Sequence, residues 1–279
     1  MATKLIEAGI DWMTGTSADD QGQELIKQLW NNMLDELRIG QAFRRKANWL
    51  GYAGWRVEHS FYGEREDGCC VVVSGPLAYN YGRAFLDVGA RPSRLDLQVT
   101  GQPVTTAARS IESLFYQARE YRNPKHRPPA LKMWVSREGP EGLYIGSRAS
   151  EVMLRIYDKG RESRQAIYAG HLRVEAELKQ RTALRFAGAL LASEYTTEFC
   201  AGAVRGLAVG RGITIPFEVE GPEVVLHKTS YVTPVEGKMA WLRSQVSPTI
   251  QALVDEVGWA SVLSVIMPDS LDKHTDTGL

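Results

Sequence analysis

The sequence predicts an α+β fold: an antiparallel sheet built from two ferredoxin-like (βαββαβ-type) halves, with helices on one face and a small helical region at the C-terminal end. Two runs in which apolar and polar residues alternate, 93–100 and 171–179, are typical of strands with one buried face. Apolar residues at helical spacing, as in 25–37, lie between such runs. The resulting succession β-α-β-β-α-β is that of a ferredoxin-like unit.

The first half supplies one such unit, in which Ser17 or Asp20 caps the first helix and the turn EREDG closes a hairpin. Its predicted elements are a strand at 9–17, a helix through 25–37, strands at 55–61 and 69–75, a helix from Pro76 to about Asp87, and a strand at 93–100.

The second half repeats the order with changes, beginning with a helix that Thr106 caps. Its predicted elements are a helix to about Arg122, a basic loop at 123–129, strands at 131–138, 142–148 and 151–159, a short helix at 160–168, a strand at 171–179, and helical sequence at 181–205. A Gly/Pro-rich boundary follows at 206–223, and two further helices are expected at about 235–245 and 248–266.

Charge is balanced over the 279 residues, with 33 Lys and Arg against 33 Asp and Glu. The balance hides an excess in the middle, because residues 91–185 hold 18 basic and 10 acidic residues. Such a basic centre is expected of a protein with a polyanionic partner, although solvated arginine faces explain the charge equally well. No apolar run approaches the ~18 residues of a membrane span, and three cysteines are too few for a disulfide framework. A reduced, cytoplasmic protein is expected.

Three of the predicted strands each present an apolar face and a charged face, because side chains alternate along a strand. The charged faces carry Arg94 and Asp96; Arg155, Tyr157 and Lys159; and Arg173, Glu175, Glu177 and Lys179. If the strands are neighbours, carboxylates, cations and one tyrosine converge on a single surface.

This combination suits the transfer of a DNA phosphate to tyrosine. Carboxylates bind a hard cation such as Mg²⁺ or Mn²⁺, which polarises a phosphoryl oxygen. Arginine and lysine hold phosphates, and cations beside a tyrosine favour its nucleophilic form. The alternative interpretation is that the charges form ion pairs across an exposed sheet face.

The segment YIGSRASEVMLRIYDKGRES, followed by LRVEAELK, resembles the replication initiation factor family (the Rep_trans type) of rolling-circle plasmids, filamentous phages and integrative elements. GIDWMTGT, SRLDLQVT and the late WLRSQVSPTIQALVDEVG add weaker similarity, so the resemblance spans about residues 9–260. It implies a metal-dependent nickase whose nucleophile is Tyr157. Asp96 and Glu175 are the implied metal ligands, with Glu177 as a possible third.

The function expected from these motifs is the nicking and joining of DNA at a replication origin through a 5′-phosphotyrosyl intermediate, which leaves a 3′-hydroxyl primer. The expected DNA contacts are Arg94, Arg155, Lys159, Arg173, Arg148 and Lys132. The expected domains are a catalytic domain at 1–205, a linker and extended segment at 206–234, and a C-terminal helical region at 235–279. The resemblance implies origin DNA, a host helicase and a possible homodimer as partners. A relaxase of a conjugative or integrative element and a non-catalytic, single-strand-binding repressor remain the alternatives.

Overall fold

A computed structural model describes residues 5–122, 128–194, 196–222, 224 and 247–266. Its strands are β1 (Leu5–Ser17), β2 (Arg45–Trp49), β3 (Tyr52–Val57), β4 (Ser60–Arg65), β5 (Gly68–Ser74), β6 (Arg91–Gly101), β7 (Leu131–Ser136), β8 (Gly139–Ile145), β9 (Val152–Asp158) and β10 (Leu172–Lys179). Its α-helices are α1 (Asp20–Glu36), α2 (Pro76–Asp87), α3 (Ala107–Glu120), α4 (Lys159–Ser163), α5 (Gln180–Leu191), α6 (Thr196–Val209) and α7 (Ser247–Ile266). Short 3-10 helices lie at Gln41–Phe43 and Ala166–Tyr168.

The ten strands form one sheet in the order β2-β3-β4-β5-β1-β6-β10-β9-β8-β7, and every neighbouring pair is antiparallel. Strands β1 and β6 from the first half and β10 and β9 from the second half therefore meet in the middle. The predicted α+β class with a large antiparallel sheet is confirmed.

One face of the sheet is covered by helices, since the buried residues of α1, α2, α3, α5 and α6 share one core with the apolar faces of the central strands. Leu97, Val174 and Ile156 of β6, β10 and β9 are fully buried in that core. The alternating pattern of these strands thus places their apolar side chains under the helices and their charged side chains on the opposite face. We call that opposite face the open face.

The helix caps agree in part with the sequence. Thr106 caps α3, accepting a hydrogen bond from the backbone N–H of Arg109 at 3.4 Å, as predicted. The predicted caps of α1, Ser17 and Asp20, are wrong: Asp19 caps this helix and accepts from the N–H of Gly22 at 2.7 Å. Ser17 donates instead to the Asp19 carboxylate at 2.9 Å.

Between α1 and α2 the chain forms four strands, β2 to β5, where the sequence predicted two. The predicted strand at 55–61 is wrong because Glu58, at φ 51°, ends β3 and begins a turn into β4. Strand β2 was missed, and it joins β3 through Leu50 and Gly51, both at positive φ. A ferredoxin-like unit is therefore enlarged by two strands at its outer edge.

The helical sequence predicted at 181–205 forms two helices, α5 and α6, and the second continues to Val209. Beyond it, Ile213, Ile215 and Phe217 are buried against the core, and the Arg205 guanidinium donates to the carbonyls of Val219 and Gly221, both at 2.8 Å. The compact unit extends from Met1 to Leu226, so the first part of the segment expected as a linker is packed into it.

A second unit runs from His227 to Leu279, and within it α7 begins at Ser247 and is kinked at Gly258. The helix predicted at 235–245 lies outside the described residues, as does most of the basic loop at 123–129. In the part of the chain that the structure describes, no helix has both the length and the apolar character needed to cross a membrane.

Candidate active site on the open sheet face

The three charged strands are adjacent, because β10 lies between β6 and β9. Glu175 is directly opposite Gln98 on one side and Arg155 on the other. Asp96 faces Glu177, and Arg173 faces Tyr157. The side chains that alternation placed on one surface are therefore brought together on the open face.

Asp96 is held by two arginines. The Arg94 guanidinium donates to both of its carboxylate oxygens, at 2.8 and 2.6 Å, and Arg155 Nη2 donates to Oδ2 at 2.6 Å. The Asp96 side chain is 1% exposed, and this burial raises the pKa of its carboxyl group, although both arginines oppose the shift. Asp96 is thus a desolvated carboxylate with cations on two sides.

Tyr157 and Glu175 form the contact most relevant to chemistry. The Tyr157 hydroxyl donates a short hydrogen bond to Glu175 Oε1, and Arg155 Nη2 donates to the other Glu175 oxygen at 2.8 Å. Burial raises the pKa of Glu175 to about 7, against the opposing charge of Arg155. Burial and the negative charge of Glu175 also raise the pKa of Tyr157 well above its ordinary value. The tyrosine is therefore a neutral phenol whose proton points at a carboxylate.

Arg173, directly opposite Tyr157, is held by residues that sequence reasoning missed. Its guanidinium donates to Thr100 Oγ1 at 2.8 Å, to Glu7 at 2.9 Å and to Asp11 at 3.2 Å. The Tyr168 hydroxyl donates to the same Glu7 oxygen at 3.1 Å. Glu7, Asp11 and Tyr168 come from outside the three charged strands, so alternation within those strands gave no signal for them.

The remaining predicted residues lie around this centre. Glu177 accepts from Lys179 at 2.5 Å and from Arg94 at 3.0 Å, and Lys179 also donates to the Arg148 carbonyl at 2.6 Å. Lys159, the first residue of α4, pairs with Glu162 at 2.7 Å, and its Nζ lies 5.9 Å from the Tyr157 ring centroid. Lys132 is exposed on β7.

Lys132 nevertheless shares the open face with Glu175. It stands opposite Tyr144, which stands opposite Arg155, which in turn stands opposite Glu175. Directly opposed residues point to the same face of a sheet, so this basic side chain continues the row of the site toward the β7 edge.

A cavity of about 590 Å³ opens over the Tyr157–Glu175 pair. Trp12 and Trp134 line it on opposite sides, together with Tyr144. Trp134 lies edge-on to Tyr144 with ring centroids 4.7 Å apart, and its ring covers Gly142, the residue opposite Tyr157. The cavity thus offers flat aromatic walls beside the tyrosine hydroxyl.

The donor chemistry of the centre fits a divalent cation held by two carboxylates. Arg155 Nη2 lies 2.6 Å from an Asp96 oxygen and 2.8 Å from a Glu175 oxygen, so a positive group already bridges the two. Its Nε is buried with no hydrogen-bond partner among the described residues. Mg²⁺ is commonly held by one or two carboxylates, with waters and substrate phosphate completing its shell.

Within the described residues no three His, Cys, Asp or Glu side chains are arranged to hold a metal ion. Glu177 is directed to Lys179 and Arg94 instead.

The fold and the site together define an α+β protein whose single sheet carries a buried tyrosine–carboxylate–arginine centre. Residues 106–208 match the family model described as replication initiation factor. The matched stretch contains Tyr157 and Glu175, while Asp96 precedes it. The resemblance that the motifs indicated is confirmed over this stretch.

A solved structure described as a rolling circle replication initiator protein from Geobacillus stearothermophilus is similar to this chain, with a TM-score of 0.48 and 18% sequence identity. The similarity covers 71% of this chain and 84% of that chain. No curated protein sequence matches this chain significantly.

Proposed function

We propose that this protein starts rolling-circle replication by cutting one strand at an origin with the hydroxyl of Tyr157 as the nucleophile. The observation that carries the proposal is the hydrogen bond from that hydroxyl to the buried Glu175, inside a cavity next to Arg155 and within the family-matched stretch. A tyrosine placed against a carboxylate has the acceptor it needs to lose its proton during attack.

The proton transfer and the attack are concerted in this scheme. The raised pKa of Tyr157 disfavours a free phenolate, so the proton passes to Glu175 as the oxygen approaches phosphorus. A Glu175 pKa of about 7 makes this carboxylate a stronger base than an ordinary glutamate. The phosphorus–O3′ bond breaks, O3′ keeps the electron pair and takes a proton from water, and the 5′ phosphate remains ester-linked to Tyr157.

The cations and the second carboxylate act on the phosphate. Arg155 and Arg94 lie on the cavity wall and stabilise the negative charge of the transition state. Asp96 and Glu175 would hold Mg²⁺ or Mn²⁺, which supplies further charge neutralisation when bound. Because the ester to Tyr157 keeps the bond energy of the broken diester, a later 3′-hydroxyl can reverse the reaction and rejoin the strand without ATP.

The biological setting is proposed from the family. The new 3′-hydroxyl serves as the primer for a polymerase in the cytoplasm, and a host helicase opens the duplex ahead of it. A homodimer would place a second Tyr157 beside the replicated origin for the closing step.

The proposal is tested by incubating the protein with supercoiled origin plasmid and Mn²⁺ and measuring open circles that carry covalently bound protein. Tyr157→Phe removes only one hydroxyl and abolishes both products, while DNA affinity in EDTA stays within about twofold of wild type. Tyr144→Phe and Tyr168→Phe are matched controls, because each loses a hydroxyl near the same centre. An adduct that persists in Tyr157→Phe disproves the assignment, and binding without any nicking by the wild type favours the non-catalytic repressor.

A further inference from the structure

The β2–β3 hairpin, which lies outside the family-matched stretch, carries a second concentration of positive charge. Residues 38–57 contain five basic residues and no acidic one. Among them, Arg45 and Arg56 are direct cross-strand partners on the hairpin. The hairpin therefore brings like charges together at the edge of the sheet, which costs folding energy unless a polyanion neutralises them.

The face that carries these arginines is the open face. Starting from the hairpin, Arg56 is opposite Phe61, and Phe61 is opposite Val72. Val72 is in turn opposite Thr14, and Thr14 is opposite Arg94 of the candidate active site. Directly opposed residues share a face, so one continuous row connects the hairpin to the catalytic centre. The row crosses five strand spacings from Arg94 to Arg45, about 24 Å at the usual separation of neighbouring strands.

Aromatic rings lie along this row, each under an arginine. The Arg94 guanidinium is 5.1 Å from the Trp12 ring centroid, and that of Arg56 is 5.3 Å from the Trp49 centroid. Trp12 and Trp49 both cover a small apolar cluster that contains Phe61 and Val72. Alternating planar aromatic and guanidinium groups are the surface on which unpaired bases stack while their phosphates meet the charges.

The hydrogen-bonding balance points to a missing acceptor. Among the described residues, five buried side-chain nitrogens have no partner, and Trp49 Nε1, Arg56 Nε and Arg155 Nε are three of them on this face. All three are donors, so the groups that would satisfy them are acceptors, such as phosphate or base oxygens.

We propose that single-stranded DNA flanking the nick runs from Tyr157 across Trp12 to the β2–β3 hairpin, where Arg45, Trp49 and Arg56 hold it. This inference rests on the proposed function for the identity of the strand, but the hairpin would bind it in the absence of cleavage. The exposed strand behind the advancing fork would thereby remain attached to the protein at a distance from the covalent bond.

The test is binding of fluorescein-labelled oligothymidylate of 20 nucleotides to the full chain in EDTA, measured by anisotropy over a salt series. Arg45→Gln and Arg56→Gln each weaken binding severalfold and lower the salt slope by about 0.7, the value for one phosphate contact on a single strand. Trp49→Ala weakens binding at least about fivefold through lost stacking.

Lys46→Gln is the matched control, because Lys46 lies on the same hairpin but shares the opposite face with Trp55. An equal effect of Lys46→Gln and Arg56→Gln, or no effect of either arginine change, overturns the inference. A preference of the protein for duplex over single-stranded DNA overturns the inference in favour of a duplex ligand. Altered sedimentation of the hairpin variants without a change in DNA affinity overturns it in favour of a second copy of the chain. If the wild type nicks DNA and the arginine variants bind the oligomer as well as the wild type does, this inference alone is refuted. If binding depends on the arginines but the wild type does not nick, only the proposed function is refuted.

Discussion

Glu175 should make the stability of this protein depend on pH in the direction opposite to that of most glutamates. Its carboxyl has a pKa raised from 4.5 to about 7 in the folded chain, chiefly by burial. Between these values the native state holds a proton that the unfolded chain releases, so the free energy of unfolding falls as pH rises. A shift of this size corresponds to about 3 kcal/mol at 1.36 kcal/mol per pKa unit.

Glu175→Gln removes this titration and keeps the side-chain volume. The difference in unfolding free energy between wild type and Glu175→Gln, from urea titrations in EDTA, should decline by up to about 3 kcal/mol between pH 4 and pH 8. EDTA keeps divalent cations away from the carboxylates, so only the proton is followed.

Glu177→Gln is a control, because the contribution of Glu177 to stability should depend on pH in the opposite direction. Burial raises the pKa of Glu177, but the hydrogen bond from Lys179 and the charge of Arg94 more than offset this, so the pKa is lowered overall. The stabilisation from Glu177 is therefore present above its unfolded pKa and lost as pH falls. Parallel pH curves for wild type and Glu175→Gln would refute the burial argument for the candidate site.

Three further predictions concern the same centre. Asp96→Asn should abolish nicking of origin plasmid, because an amide cannot replace an anionic ligand of a hard cation, and EDTA should have the same effect on wild type. Nicking by Asp96→Asn in EDTA would rule out a role for the metal ion. Arg155→Ala should lower the salt slope of DNA binding by about one unit and leave sequence preference intact, measured by anisotropy with origin and scrambled DNA; an unchanged slope would place the DNA elsewhere. Gly142→Ala should lower the thermal unfolding midpoint and nicking together, because the added Cβ would lie 1.8 Å from the Trp134 ring and overpacking costs about 1–3 kcal/mol; an unchanged midpoint would show that the ring moves freely.

The central part of the site could be predicted from the sequence because β6, β9 and β10 are regular. In each strand the apolar residues, such as Leu97 and Val174, are buried under the helices, so alternation correctly assigns the charged residues to the other face. Alternation does not say which strands are neighbours. The pairing of β6 with β10 joins residues more than 70 positions apart and depends on how the two halves meet.

Strand β1 shows where alternation fails. Ile10 pairs with Leu97 and Trp12 pairs with Asp96, so Asp11 is an extra residue in a β-bulge. The bulge puts Asp11 beside Arg173 and still leaves Trp12 on the open face, next to Arg94. Strict alternation of side chains would place Asp11 and Trp12 on opposite faces of the sheet, and no residue in GIDWM indicates the bulge.

The ionic partners of the arginines were also beyond sequence reasoning. Alternation predicts a surface of cations ready for phosphate, but Arg94, Arg155 and Arg173 each contact two carboxylates. Side-chain reach and rotamer decide such pairing, and these depend on the exact register of the assembled sheet.

This pairing has a consequence for how DNA is attracted. The linked groups of the centre are Glu7, Asp11, Asp96, Glu175 and Glu177 with Arg94, Arg155, Arg173 and Lys179, a formal excess of one negative charge. A phosphate gains little by entering such a cluster until a cation or a proton changes its balance. The arginines of the β2–β3 hairpin lie outside this cluster at the other end of the row. We therefore expect most phosphate contacts to lie at the periphery, while the centre adds only about the one contact assigned to Arg155, a division that lets the phosphate leave Tyr157 in the joining step.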